Sequence, residues 1–282
     1  LCNKQPVISP GNKTVLEEKR MTANALRVLQ ITDMHIRSVP GNEFMSSRID
    51  TDATLQTVLD EIHENEPADS IVVATGDLVH DPLEASYQRL KQRLSGSCNR
   101  YYLLPGNHDD AVLARKILNR DNSWCVGQHA FGEWLMLFLD TSQQPEQSQG
   151  LLSKAELSRL ERTLAVSGHR HVMLFLHHPP VSIGSSWMDR IGLGNADALF
   201  AITDRYPQIK GMVFGHIHQQ FEGARKGIRM IGSPSTCIQF KAGTGQCEID
   251  SLPPAYRWFE FRADGTFETG VKYVRAQLRC AV

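Results

Sequence analysis

The 282 residues carry 30 Lys+Arg against 31 Asp+Glu, a formal net charge of -1, and 41% of them are hydrophobic. That balance argues against a basic face tracking a nucleic-acid backbone, and the hydrophobic share argues against a disordered chain. No apolar run reaches the ~18 residues that a membrane span needs. A globular chain with a sizeable core follows, with no membrane, no nucleic-acid partner and a cytoplasmic location expected. The 6 cysteines form no C-x-x-C pair, which suits free thiols in a reducing compartment better than a disulfide framework. The 11 histidines are the unusual feature.

Residues 1–24 are polar, contain Pro6, Pro10 and Gly11, and lack the apolar stretch of a secretory signal. They are expected to form an extension outside the fold, with Met21 just before the first strand and a single domain over residues 25–282. Strands and helices then alternate. Residues 26–32 read as a strand. Residues 50–65 place Leu55, Val58, Leu59 and Ile62 on one stripe of an amphipathic helix. A strand is expected at 71–74, a helix at 82–94 with Pro82 in its first turn, a strand at 101–104 and a helix at 110–118.

The next strand is 134–139. Ser153 and Glu156 make a capping box at the start of a helix running to about residue 164. Strands at 172–176 and 212–214 flank a helix at 195–206. Beyond that only strands are expected, at 228–231, 257–261 and 267–274, the last two joined by a turn over Ala263, Asp264 and Gly265. This order predicts an α/β fold, a four-layer αββα sandwich of two mixed β-sheets flanked by helices.

Polar residues of one kind follow the strands. Asp33 and His35 follow the first, Gly76-Asp77 the second and Gly106-Asn107-His108-Asp109 the third. His177-His178 follows residues 172–176, and Gly215-His216-Ile217-His218 follows residues 212–214. Open α/β sheets bind ligands outside the carboxyl ends of their strands, so the five groups can meet at one mouth. Carboxylate, imidazole and amide oxygen are donors that suit Mn, Fe or Zn. Each block alone has a plainer reading: Asp33 or Asp77 as a turn or cap residue, His177 as a core histidine, Asn107 as part of a tight turn. Five together at strand ends leave little room for coincidence.

With these blocks the sequence resembles the calcineurin-like metallophosphoesterases, and within them the bacterial class III cyclic AMP phosphodiesterases. The closer resemblance rests on residues 29–33, 177–179, 186–189 and 233–240. It implies hydrolysis of 3′,5′-cyclic AMP to 5′-AMP at two divalent ions, Fe and/or Mn with Zn as a third choice, sharing a bridging hydroxide, and a lowering of cyclic AMP signalling. Asp33, His35, Asp77 and His218 would hold one metal; Asp77, Asn107, His177 and His216 would hold the other. His35, Asp77, Asn107, His108 and His218 would surround the phosphate of the cyclic nucleotide, with His108 as general acid. Asp109 would either orient the His108 imidazole or cap the helix that follows. The alternatives are a broad phosphodiesterase or phosphomonoesterase, then a DNA nuclease or a non-catalytic scaffold on the same fold. Trp187, Trp258 and Phe240 could stack on a nucleobase but read more readily as core.

Overall fold

The computed structural model describes residues 25–41, 49–97, 100–119, 127–143, 147–168 and 170–275. The expected extension at 1–24, His169, and Cys2, Cys98, Cys125 and Cys280 lie outside the described residues. Cys237 and Cys247 are both free thiols.

The chain order is β1 (Leu26–Ile31), α1 (Thr51–Asn65), β2 (Ile71–Thr75), α2 (Glu84–Ser97), β3 (Tyr101–Leu104) and α3 (Ala111–Leu118). Next come β4 (Gly127–Phe131), β5 (Trp134–Phe138), α4 (Lys154–Val166), β6 (His171–Leu176), α5 (Ser186–Asp189), α6 (Ala196–Thr203) and β7 (Ile209–Phe214). The all-β finish comprises β8 (Phe221–Arg225), β9 (Ile228–Gly232), β10 (Gln239–Phe240), β11 (Ile249–Asp250), β12 (Ala255–Phe261) and β13 (Phe267–Tyr273).

One sheet runs β13-β12-β1-β2-β3 and the other β4-β5-β6-β7-β9-β8, with β10 and β11 forming a separate small ribbon. In the first sheet β1, β2 and β3 are parallel while β12 and β13 are antiparallel. In the second, β5, β6, β7 and β9 are parallel and each edge strand is antiparallel. Both sheets are therefore mixed, as the sequence predicts.

Alternation along the strands produces the layers, because successive side chains leave a strand on opposite faces. Val28, Val73, Met136, Phe138, Phe175, Val213 and Phe259 point between the sheets and form one buried cluster. Leu29, Ile31, Val72 and Ala74 point the other way, onto Leu55, Val58, Leu90 and Ile117 of α1, α2 and α3. Leu137, Leu174 and Met212 likewise meet Leu160, Leu164 and Leu199 of α4 and α6. Helix, sheet, sheet and helix are thus stacked in four layers, each fully buried aliphatic or aromatic side chain contributing roughly 1.5–3 kcal/mol.

A polar linkage crosses the sheet interface just beneath the strand ends. Gln30 is fully buried and donates to Thr75 Oγ1 at 2.8 Å and to the Phe214 carbonyl at 3.2 Å, joining β1, β2 and β7. Ser233 donates to Gln30, and the buried Arg257 guanidinium donates to the Gly232 carbonyl at 3.1 Å and Glu222 at 3.0 Å. Buried polar atoms satisfied in this way fix one relative placement of the two sheets.

Three local expectations are corrected. Helix α2 begins at Glu84 rather than Pro82, because the Leu83 carbonyl accepts the first helical bond, from Tyr87 N–H at 3.3 Å. Helix α6 stops at Thr203, where Arg205 N–H and Tyr206 N–H turn to i–3 carbonyls. Ser153 does cap α4 by accepting from Glu156 N–H, but the Glu156 carboxylate serves Asp140 N–H and Arg159 instead of closing the box.

Candidate active site

Pairing between the loops continues past the strand ends and brings both sheets to one mouth. Asp33 N–H donates to the Gly76 carbonyl and His35 N–H to the Asp77 carbonyl, both at 3.0 Å, extending the β1–β2 ladder. Across the sheet interface, His216 N–H donates to both oxygens of Asp33 at 3.1 and 3.0 Å, and Ser235 Oγ donates to the Asp33 carbonyl at 2.8 Å. Asp33, His35, Asp77, His216 and His218 all have positive φ, between 46° and 68°. Among the described residues only Lys226 joins them as a non-glycine in that region. The left-handed conformation costs on the order of 1–3 kcal/mol per residue and persists where the surroundings over-determine it. Gly106 has no room for a side chain: a Cβ there would collide with Asp77 N and Asp77 Oδ1.

The side chains face inward. Asp33, His35, Asp77, Asn107, His177, His216 and His218 are all buried. One cluster joins ligand atoms of Asp33, His35 and His218; another joins Asp33, Asp77 and His177. Asp77 faces two ways, with Oδ2 3.6 Å from His35 Nε2 and Oδ1 3.4 Å from His177 Nε2. Asp33 Oδ1 lies 3.4 Å from His218 Nε2, and Asn107 Oδ1 lies 3.1 Å from His177 Nε2.

The ring tautomers follow from the outer partners. His177 Nδ1 meets the Thr75 carbonyl and His218 Nδ1 the Ile238 carbonyl, each at 2.8 Å. A carbonyl only accepts, so both Nδ1 atoms carry hydrogen and both Nε2 atoms are left for the site, the arrangement that orients metal-binding histidines.

Burial and the two carboxylates oppose each other here. Burial pulls His177 down, but the Asp77 charge and hydrogen bond outweigh it and lift the ring to about 9. His218 is likewise lifted well above its ordinary range by Asp33 against the cost of burial. Burial alone would raise the Asp77 carboxyl, yet His177 beside it holds it well below the usual carboxylate range. Burial keeps His216 neutral, lowered to about 3 with His177 contributing. The same concentrated negative potential would attract divalent cations.

His108 sits at the mouth, its N–H donating to Asp77 Oδ1 at 2.9 Å and its ring 4.8 Å from that of His35. Its Nδ1 meets the His80 carbonyl at 3.2 Å, and the His80 ring stacks on it at 5.0 Å. Asp109 does neither of the jobs expected of it. Its carboxylate is fully buried and accepts from Gly106, Leu78 and Val79 N–H and from the Tyr87 hydroxyl. It binds the loop after β2 to the loop after β3. Burial first, and the Asp77 charge second, push its carboxyl up to about 7. The cap of α3 is Asp110, which accepts from Val112 and Leu113 N–H.

A cavity of about 330 Å³ opens over these groups. Its floor is His35, Asp77, Asn107, His108, His216 and His218; its other wall is Trp187, Met188 and Ile191 with Phe240 from β10. That volume is at the small end of ordinary ligand pockets of roughly 300–1,000 Å³.

Residues 26–220 match the family model described as calcineurin-like phosphoesterase. The chain belongs to the calcineurin-like phosphoesterase family. Among its relatives in this family, a 3′,5′-cyclic-nucleotide phosphodiesterase of Nostoc sp. is 35% identical, covering 88% of this chain and 92% of that protein. The 3′,5′-cyclic adenosine monophosphate phosphodiesterase CpdA of Pseudomonas aeruginosa is 34% identical, covering 90% and 92%. A dimetal phosphatase from Danio rerio has the same fold at 14% identity, with a TM-score of 0.62 over 89% of this chain and all of that one. The expected enzyme class, a metal-dependent phosphodiesterase, is the one these relationships give, and no helix among the described residues is long and apolar enough to cross a membrane.

The residues present fit the two metals that a calcineurin-like phosphoesterase implies. His216 Nε2 is buried and has no hydrogen-bond partner among the described residues. His35 Nε2 and His218 Nε2 lie 3.3 Å apart, close enough for one cation to take both. The donors are all nitrogen and oxygen, which Fe, Mn and Zn accept alike. Sequence reasoning missed His80, whose carbonyl takes the role expected of Asp109, and left out Trp187 and Phe240, which line the cavity. His178 is also fully buried there, its Nδ1 2.8 Å from Thr141 Oγ1.

Proposed function

We propose that this enzyme hydrolyses 3′,5′-cyclic AMP to 5′-AMP and thereby lowers cyclic AMP signalling. The observation that carries the reading is the convergence of His35, Asp77, Asn107, His216 and His218 at the floor of a small cavity, with Asp33 and His177 fully buried against them, in a chain whose full-length relatives are named for this substrate. Bound there, two divalent ions would supply Lewis-acid polarisation of the phosphoryl group and activation of water.

Asp33, His35, Asp77 and His218 would hold one ion and Asp77, Asn107, His177 and His216 the other. Asp77 would serve both ions, since its two oxygens face His35 on one side and His177 on the other. The cyclic phosphate lies over His35, Asp77, Asn107 and His218, with His108 above it. Breaking the bond from phosphorus to O3′ leaves an alkoxide that needs a proton. His108 supplies it from Nε2, while Nδ1–H stays on the His80 carbonyl and fixes the ring's direction.

The test is a ranking of kcat/KM for cyclic AMP, cyclic GMP, 2′,3′-cyclic nucleotides and p-nitrophenyl phosphate esters. The 3′,5′-cyclic nucleotides should lead, with 5′-AMP as the product from cyclic AMP. Cyclic AMP at the bottom of the ranking overturns the proposal.

A further inference from the structure

Among the described residues, the cavity lining is polar along its floor and apolar along the facing wall. His35, Asp77, Asn107, His108, His216 and His218 occupy the floor, whereas Trp187, Met188, Ile191 and Phe240 present an apolar wall to the same space. Phe240 lies flat on the His218 ring, with centroids 4.4 Å apart at 23°, and the Trp187 indole meets Phe240 edge-on at 5.1 Å and 78°. The aromatic pair therefore begins at a proposed metal ligand and extends away from it along the wall.

This wall is held in place. Trp187 Nε1 donates to Thr244 Oγ1 at 3.3 Å, and Gly243 N–H donates to Ser185 Oγ at 3.0 Å. Helix α5 and the Ser185 that precedes it are thus tied at two points to the loop between β10 and β11. The indole N–H is already satisfied, so the ring offers the cavity only its apolar surface. A half-buried tryptophan fixed at the lip of a charged site suits a planar apolar group attached to the phosphate.

From this we infer that Trp187, with Phe240 behind it, is the nucleobase wall of the enzyme, recognising a purine by stacking rather than by reading its edge. The inference rests on the cyclic nucleotide reading above and deepens it. The second half follows from what the lining lacks. Beyond the floor, the described lining residues offer only Ser148 and His80 as polar side chains, with no amide, carboxylate or guanidinium to distinguish the 6-amino group of adenine from the 6-oxo group of guanine. Stacking accepts any base with a π-face, and the larger purines gain most from it. Cyclic AMP and cyclic GMP should therefore be used within about tenfold of each other, and cyclic CMP and cyclic UMP less well than either.

Trp187 is the cleaner probe, since removing Phe240 would also disturb His218. The experiment compares wild type, Trp187→Phe and Trp187→Ala on cyclic AMP, cyclic GMP and cyclic CMP, with inorganic phosphate as a competitive inhibitor that reaches only the floor. Trp187→Ala should lose roughly 5- to 150-fold in kcat/KM on both purines, the scale of one lost base stack, mostly through KM. Trp187→Phe, which keeps a ring but loses the bond to Thr244, should restore most of it, and the phosphate Ki should stay within about threefold throughout. Unchanged purine kinetics in Trp187→Ala, a phosphate Ki that weakens in step, or a hundredfold preference for adenine over guanine would each overturn the inference. A wild type that cleaves p-nitrophenyl diesters but no cyclic nucleotide would instead refute the function proposed above. The wall would then stand only if Trp187→Ala weakened 5′-AMP binding and spared phosphate, and would fall otherwise.

Discussion

Asp109→Asn separates the structural account of this residue from a catalytic one. Oδ2 accepts Gly106 N–H at 2.9 Å and Leu78 N–H at 3.0 Å, and Oδ1 accepts Val79 N–H at 3.3 Å and the Tyr87 hydroxyl at 3.2 Å. An asparagine keeps one oxygen and turns its NH₂ group toward two donors, so two bonds to a charged group are lost, at about 1.5–3 kcal/mol each. Part of that is returned, because a buried charge near Asp77 disappears with the carboxylate. The net expectation is a loss of about 2–4 kcal/mol, against a total stability of roughly 5–15 kcal/mol. Equilibrium urea unfolding followed by fluorescence measures it, with Asp110→Asn as the control, since asparagine caps a helix about as well as aspartate. A variant that unfolds with the wild type yet loses a hundredfold in kcat would refute the reasoning and restore Asp109 as the orienter of His108.

Gly106→Ala should drive a methyl group into Asp77, lowering bound metal below one ion per chain and kcat/KM by at least about a hundredfold; full metal content and activity would contradict the packing. His108→Ala should retain metal but lose on the order of 10²–10⁴ in turnover of phosphodiesters, and normal turnover would end its role as the acid. At the surface, hydrogen bonds from Arg225 and Lys226 hold the Asp204 carboxyl at about 2, against an ordinary 3.8. A carboxyl depressed in this way stabilises the fold above its unfolded pKa, and that contribution fades as pH falls from about 4 through about 2. A carbon-13 titration of Asp204 should show the low midpoint and its return toward 3.8 when both Arg225 and Lys226 are replaced by alanine; a wild-type midpoint near 4 would contradict it.

The proposed ligands were legible because each sits directly after a strand whose apolar run is unmistakable, such as Asp77 after Ile71–Thr75 and His177 after His171–Leu176. The four layers were legible for a related reason, since the 3.6-residue stripe of α1 and the buried runs of β2 and β6 leave one arrangement that covers both sheets. The edge strands of the second sheet were not. β4 and β8 alternate only between partly and fully exposed positions, and the strands of the β10–β11 ribbon have two residues each, too short for any period. The direction of a side chain within a turn was equally out of reach: His108 and Asp109 are neighbours in sequence, yet one faces the cavity and the other the interior. Nor does the identity of Asp33 or His218 announce a positive φ, which only the packed loops around them impose. Trp187 and Phe240 looked like core because an aromatic residue carries no mark of which space it borders.

The central claim is that phosphodiester hydrolysis here runs on two ions held by one constellation. Titrating Mn²⁺ or Fe²⁺ into chelator-stripped protein while following cyclic AMP hydrolysis tests it most directly. Activity should be absent at first, rise as two equivalents per chain bind, and fail to rise in Asp77→Ala, whose shared carboxylate is gone. Full cyclic AMP hydrolysis by the stripped protein, or by Asp77→Ala, would contradict the account.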